Sequence, residues 1–154
     1  VAAREGTIAV EHMANQDPEP LNYHHVPKCT YSFPEIASIG MTEKEAKNKN
    51  FELKIGRFPF KAIGKALITG HPPGFVKLIA DAKTNDLLGI HMIGPHVTDL
   101  ISEASLAFVL DATPDEMAYT IHPHPTLSEI FSEASLMAEG RPIHLKISIF
   151  SCLL

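Results

Sequence analysis

Basic residues are scarce: 13 Lys and Arg against 18 Asp and Glu give the 154-residue chain a formal charge of −5 at pH 7. With no basic cluster, a surface for nucleic acid or an anionic membrane is not expected. Long apolar runs are missing as well. None approaches the ~20 residues that a membrane-spanning helix needs, and Val1 to Asn15 lacks the charged-then-apolar order of a secretory leader. No membrane partner is expected, and a cytoplasmic location is the default. Cysteine is limited to Cys29 and Cys152, two thiols without framework spacing, so a disulfide-stapled secreted domain is not indicated. Histidine is plentiful, at nine, but there is no H-E-x-x-H helix and no paired-cysteine spacing. The ligands for a zinc site would have to be His122, His124 and Glu129 with His91 or His96, and the prolines interleaved with the first two limit their convergence. No metal is expected.

What is present suits one domain with a real core, since 45% of the residues are hydrophobic. The stretch from Ile121 to Glu139, IHPHPTLSEIFSEASLMAE, concentrates the chemistry. Pro123 and Pro125 alternate with His122 and His124, so the chain before the helix is extended and each imidazole has a defined direction. Thr126 has the character of an N-cap with Glu129 at capping-box spacing, and Leu127, Ile130, Phe131, Ala134 and Ala138 form one apolar stripe ending before Gly140. Glu129 admits two uses: it can complete the box with Thr126, or orient and stabilise the His124 imidazole as a general base. Spacing alone favours the box.

The remaining elements follow from periodicity and punctuation. Val1 to Asn15 has helical spacing and breaks at Gln16 to Pro20. Strands are expected over Lys28 to Phe33, Ala37 to Met41, Glu52 to Phe60, Phe75 to Ala80 and Leu87 to Ile93, the last two joined as a hairpin by Lys83 to Asp86. A weak helical turn follows Lys61, and Gly70 to Gly74 closes that segment. Capping boxes at Thr42 and Thr113 open short helices, and Val97 to Leu110 forms a longer one with Leu100, Ile101, Ala104, Ala107 and Phe108 on one face. These elements sum to an α+β architecture, an antiparallel sheet with helices packed on one side. Ser102 to Leu106 recurs as Ser132 to Leu136, two copies that are too few for a repeat protein. Histidines 24, 25 and 71 read as surface residues and His91 as a half-buried, satisfied one. The run Leu145 to Leu154 is apolar, and Cys152 within it has no neighbouring base and reads as inert.

The motif His124-Pro125-Thr126-Leu127-Ser128-Glu129 resembles the C-terminal signature of the pyridine nucleotide-disulfide oxidoreductases. Val26 to Tyr31, Pro34 to Gly40, Gly64 to Leu67, Leu88 to Ile90 and Ile93 to Pro95 resemble the same family's interface domain, so the likeness covers most of the chain. It reverses the reading of His124 and Glu129. It implies residues 1–21 as the tail of a preceding flavin-binding region and a linker, 22–144 as a C-terminal dimerisation domain, and 145–154 as an unassigned tail. It further implies a homodimer in which His124 and Glu129 act in trans as an acid/base pair on a partner's redox disulfide. His124 and Pro125 would lie near the partner's flavin, and His122 would wall the substrate channel. The Thr-Leu-Ser form points to those members that oxidise the lipoyl group of a 2-oxo acid dehydrogenase complex with FAD and NAD+. Mercuric, glutathione and transhydrogenase-type flavoreductases, and a non-catalytic dimerisation module, are the alternatives.

The chain departs from the family in having no G-x-G-x-x-G fingerprint after a strand and no C-x4-C pair. It is therefore expected to be a fragment that is silent alone and binds neither FAD nor NAD. The apolar faces of the Val97 and Leu127 helices are the expected two-fold contact.

Overall fold

A computed structural model describes residues 1–71 and 73–145. The expectation for the apolar tail, Cys152 included, lies outside them beyond Leu145, as does Pro72 of the Gly70 to Gly74 turn. Helix α1 (Ala2–Met13) comes first and buries none of its residues; the Tyr23 hydroxyl donates to its Glu5 carboxylate.

The sheet is five-stranded and antiparallel throughout, in the order β1-β2-β5-β4-β3. Strands β3 (Leu53–Pro59), β4 (Phe75–Asp81) and β5 (Leu87–Gly94) form a meander, and the hairpin of β1 (Lys28–Thr30) and β2 (Glu35–Gly40) adds to the free edge of β5. Strand β1 is shorter than the expected run to Phe33. Ser32 turns its hydroxyl to the Pro34 carbonyl at 2.7 Å, and Pro34 has no N–H with which to continue a ladder.

Alternation along the strands sends Ala37, Ile39, Phe58, Val76, Leu78, Ile90 and Met92 into one core. Two helices cover that face. Helix α4 (Val97–Val109) lies on β2 and β5 with Val97, Ile101, Ala104 and Phe108 buried, and α6 (Glu129–Ala138) lies on β3 and β4 with Ile130, Phe131 and Ala134 fully buried. Helix α5 (Pro114–Tyr119) packs against α6. This is the expected α+β layering, and it corrects one expectation. The apolar stripes of α4 and α6 are used up by the sheet of their own chain, so they are not available to a second copy.

Helix α2 (Glu43–Asn48) is the polar cover expected after Thr42, and its capping box is complete. Its one buried residue, Ala46, packs with Ile79 and Leu88 in a small second cluster, and Glu43 spans Lys47 and Lys77. Hydrogen bonds from those two ammonium groups, set against slight desolvation, hold the Glu43 carboxyl at a pKa of about 2. Between β3 and β4 a 3-10 turn (Phe60–Ala62) leads into a short helix, α3 (Gly64–Ile68). No helix among the described residues is long and apolar enough to cross a membrane.

Candidate active site

The segment from Thr120 to Ser128 runs from the end of α5 to the start of α6, and its two imidazoles go opposite ways. His122 turns inward, its side chain 6% exposed, and donates from Nε2 to Glu103 Oε1 of α4 at 2.7 Å. His124 turns outward, 77% exposed, and donates from Nδ1 to Glu129 Oε1 at 2.9 Å. The His124-Pro125 peptide bond is cis, and Pro125 is exposed beside its histidine.

The two uses of Glu129 that its spacing set against each other are both realised, one on each oxygen. While Oε1 holds His124, Oε2 accepts the Thr126 backbone N–H at 2.9 Å. The box is only half made. Thr126 gives its hydroxyl to the Pro123 carbonyl at 2.6 Å and meets the Ser128 hydroxyl at 2.8 Å, so α6 starts at Glu129, two residues later than a Thr126 cap requires. Burial alone pushes the Glu129 carboxyl up. The His124 hydrogen bond, the Thr126 N–H and the charges of His124 and His144 outweigh it, so the pKa sits below the ordinary carboxylate value. Glu129 is therefore an anion at neutral pH.

His122 is held differently. The Glu103 hydrogen bond raises its pKa above the ordinary imidazole value, against the opposing effect of burial, with help from the Glu103 charge, the Thr120 backbone and Glu129. Its Nδ1 is buried without a partner among the described residues. Because the folded value is raised, the pair contributes stability that is full below the unfolded pKa of about 6.5 and is lost as the pH rises through the folded value. Replacing Glu103 with Gln should lower the His122 titration midpoint in an NMR pH series and erase that pH-dependent part of the stability. An unmoved midpoint would show that Glu103 does not hold the ring.

His122, His124 and Glu129 come together on one cleft of about 380 Å3, whose opposite wall is Ala62, Ile63, Gly64 and Leu67. Thr120, Ser132 and Ile143 also line it, with two titratable residues left unassigned from the sequence: Glu133, and His144, which donates from Nδ1 to Glu133 Oε1 at 2.8 Å. The available signal was the repeated Ser-Glu-Ala-Ser-Leu, since its two glutamates, Glu103 and Glu133, each hold a histidine. The other histidines play no part in the cleft. His91 is half-buried and bonds the Met41 carbonyl at 2.9 Å, His25 packs edge-on to Phe108, and His71 packs edge-on to Phe33. Among the described residues no group of three or more His, Cys, Asp or Glu is placed to hold a metal ion.

The family model described as the pyridine nucleotide-disulphide oxidoreductase dimerisation domain matches residues 26–135. The chain belongs to that family. Within this oxidoreductase family, the chain is 63% identical to the dihydrolipoyl dehydrogenase of Bacillus subtilis, over 94% of this chain and 30% of that protein. It is 46% identical to the dihydrolipoyl dehydrogenase of Zymomonas mobilis, over 93% of this chain and 31% of that protein. Among solved structures, LpdA of Mycobacterium tuberculosis superposes with a TM-score of 0.81 at 26% identity, covering 88% of this chain and 29% of that one. The HOCl-induced flavoprotein disulfide reductase RclA of Escherichia coli shares the fold, with a TM-score of 0.76 at 19% identity over 86% of this chain and 30% of that one. The chain thus spans about three tenths of the length of these relatives.

Proposed function

We propose that this chain is the interface domain of a dihydrolipoyl dehydrogenase, where it pairs two subunits and supplies an acid/base imidazole, His124, for oxidation of a dihydrolipoyl dithiol. The observation that carries the reading is an exposed His124 ring whose Nδ1 is bound by an anionic Glu129. The identity to two dihydrolipoyl dehydrogenases supports the choice of substrate.

Thiolate, not thiol, is the nucleophile in disulfide exchange. An alkyl thiol of pKa about 8.5 is only a few per cent ionised at pH 7. A neutral imidazole whose Nδ1–H is tied to Glu129 presents the lone pair of Nε2 to solvent, and that atom takes the thiol proton. Glu129 fixes the tautomer and stabilises the imidazolium that results. The buried His122 two residues earlier ties the segment to α4 and helps to wall the cleft.

On this reading the dinucleotide-binding folds for FAD and NAD+, which the family implies, lie outside this chain. Every strand pairing here is antiparallel, with none of the parallel strand-turn-helix crossovers that seat a dinucleotide, and both groups are assigned to the rest of a longer protein. Placement of His124 and Pro125 near a partner's flavin requires that both be exposed, as they are. On the same reading residues 1–21 belong with the preceding flavin-binding region and 22–144 form the dimerisation domain.

The two-fold contact is assigned to the outer side of α4, where Leu106 is 58% exposed and Val109 and Leu110 are each 67% exposed, together with Tyr119 and Ile121. A shallow depression between α4 and α5, edged by Leu106, Leu110 and Thr120, continues this surface toward His122. Apolar area of this kind is costly to leave in water and is common at homodimer contacts.

The test is a full-length chimera in which this chain replaces the matching stretch of the Bacillus subtilis relative. It should dimerise and reduce NAD+ with dihydrolipoamide, and Leu106→Lys with Leu110→Lys should leave it a slow monomer. A chimera that dimerises and prefers glutathione or another dithiol would assign the domain to a sister reductase.

A further inference from the structure

Two imidazole-carboxylate pairs open onto the same cleft, and the reading above employs one of them. Glu129 and Glu133 stand one turn apart on α6. The Glu133 side chain is only 5% exposed; its Oε2 accepts the backbone N–H groups of Ile143 and His144 at 3.2 Å each, and its Oε1 accepts His144 Nδ1–H at 2.8 Å. Three donors offset the cost of burying a carboxylate and fold the chain after Gly140 back over α6. His144 is thereby set into the wall of the cleft with its ring 63% exposed. The two pairs are built alike. In each, a carboxylate takes Nδ1–H, so the neutral ring presents the lone pair of Nε2.

We propose that His144, held by Glu133, is a second proton acceptor for a dithiol in this cleft, taking the proton of the second thiol after His124 has taken that of the first. The proposal rests on the dithiol reading above. Oxidation of a dithiol to a disulfide releases two protons and two electrons. The first thiol gives its proton to His124, and its thiolate attacks a protein disulfide carried outside this chain; a mixed S–S bond forms and one protein thiolate leaves. The second thiol gives its proton to His144 and attacks the substrate sulfur of the mixed disulfide. The cyclic substrate disulfide closes, the second protein sulfur leaves as a thiolate, and both electrons stay on the protein dithiol. With two acceptors, neither imidazole has to shed its proton between the steps.

The titratable groups that face His144 are Glu133 and Glu129 on α6 and His124 and His122 on the segment before it; the opposite wall has none. The test uses His144→Gln in the full-length chimera, where the side-chain amide N–H can still donate to Glu133; dimerisation should be unchanged, and a melting temperature measured beside the rate registers any loss of that hydrogen bond. Single-turnover oxidation of dihydrolipoamide should slow by about tenfold near pH 7, at the lower edge of what a proton-transfer group contributes. The deficit should close as the pH rises past about 8.5, where the thiol ionises without help. An undiminished rate, or a loss that is the same at every pH, would overturn the proposal. The comparison with His124→Ala keeps the two readings apart: if His124→Ala is slow and His144→Gln is normal, only the second acceptor fails, whereas full activity in His124→Ala removes the dithiol reading itself.

Discussion

Replacing His124 with alanine in the full-length chimera should reduce kcat/KM for dihydrolipoamide oxidation by about a hundredfold or more at pH 7, the scale on which a positioned general base acts. The substitution is clean because the ring is 77% exposed and its side-chain hydrogen bond among the described residues is to Glu129. Folding and dimerisation should therefore be unaffected, and the loss should fall on the step that needs a thiolate. Two consequences follow from that assignment. The loss should shrink with rising pH as the substrate ionises unaided, above about pH 8.5. Glu129→Gln should give a smaller loss, because the imidazole remains and only its tautomer control and charge stabilisation are weakened. Glu129 also caps the Thr126 N–H, so Gln, which keeps an oxygen acceptor, separates the electrostatic effect from the structural one. A drop of less than tenfold in His124→Ala, measured by stopped flow, would count against the base.

How far the sequence reaches can be judged from particular residues. The boxes at Thr42 and Thr113 form in full with Glu45 and Glu116, because both partners lie within one turn and nothing competes for the hydroxyl. At Thr126 the same pattern forms by half, because the chain bends at His124 and Pro125 and brings the Pro123 carbonyl back to the Thr126 hydroxyl, which also meets that of Ser128. The β4-β5 hairpin was legible from its alternation and turn. The pairing of His122 with Glu103 and of His144 with Glu133 was not. Those contacts span 19 and 11 residues and depend on how α4 and α6 lie, which periodicity does not report. The same limit explains the misplaced two-fold contact. An apolar stripe states that a helix face is covered, but not whether the cover is its own sheet or a second copy.

Gly56 is where the fold and the site are joined most tightly, and Gly56→Ala should cost activity well beyond its size. The residue sits in β3 directly beneath α6. A methyl group added there would lie 1.9 Å from the Ala134 carbonyl oxygen and 2.8 Å from the Ala138 nitrogen. Both are backbone atoms of the helix, so no rotamer change relieves the clash, and ordinary contact at about 3.5 Å needs α6 to lift by roughly 1 Å or more. Lifting it disturbs the seating of Ile130, Phe131 and Ala134, an overpacking cost of about 1–3 kcal/mol that a thermal melt would register. It also carries Glu129 and Glu133, and the imidazoles they hold, away from the position set for a substrate. Misplacement by about 1 Å can cost about a hundredfold in rate. The chimera with Gly56→Ala should therefore lose activity out of proportion to its change in melting temperature. Full activity in Gly56→Ala would mean that the β3-α6 contact does not fix the site.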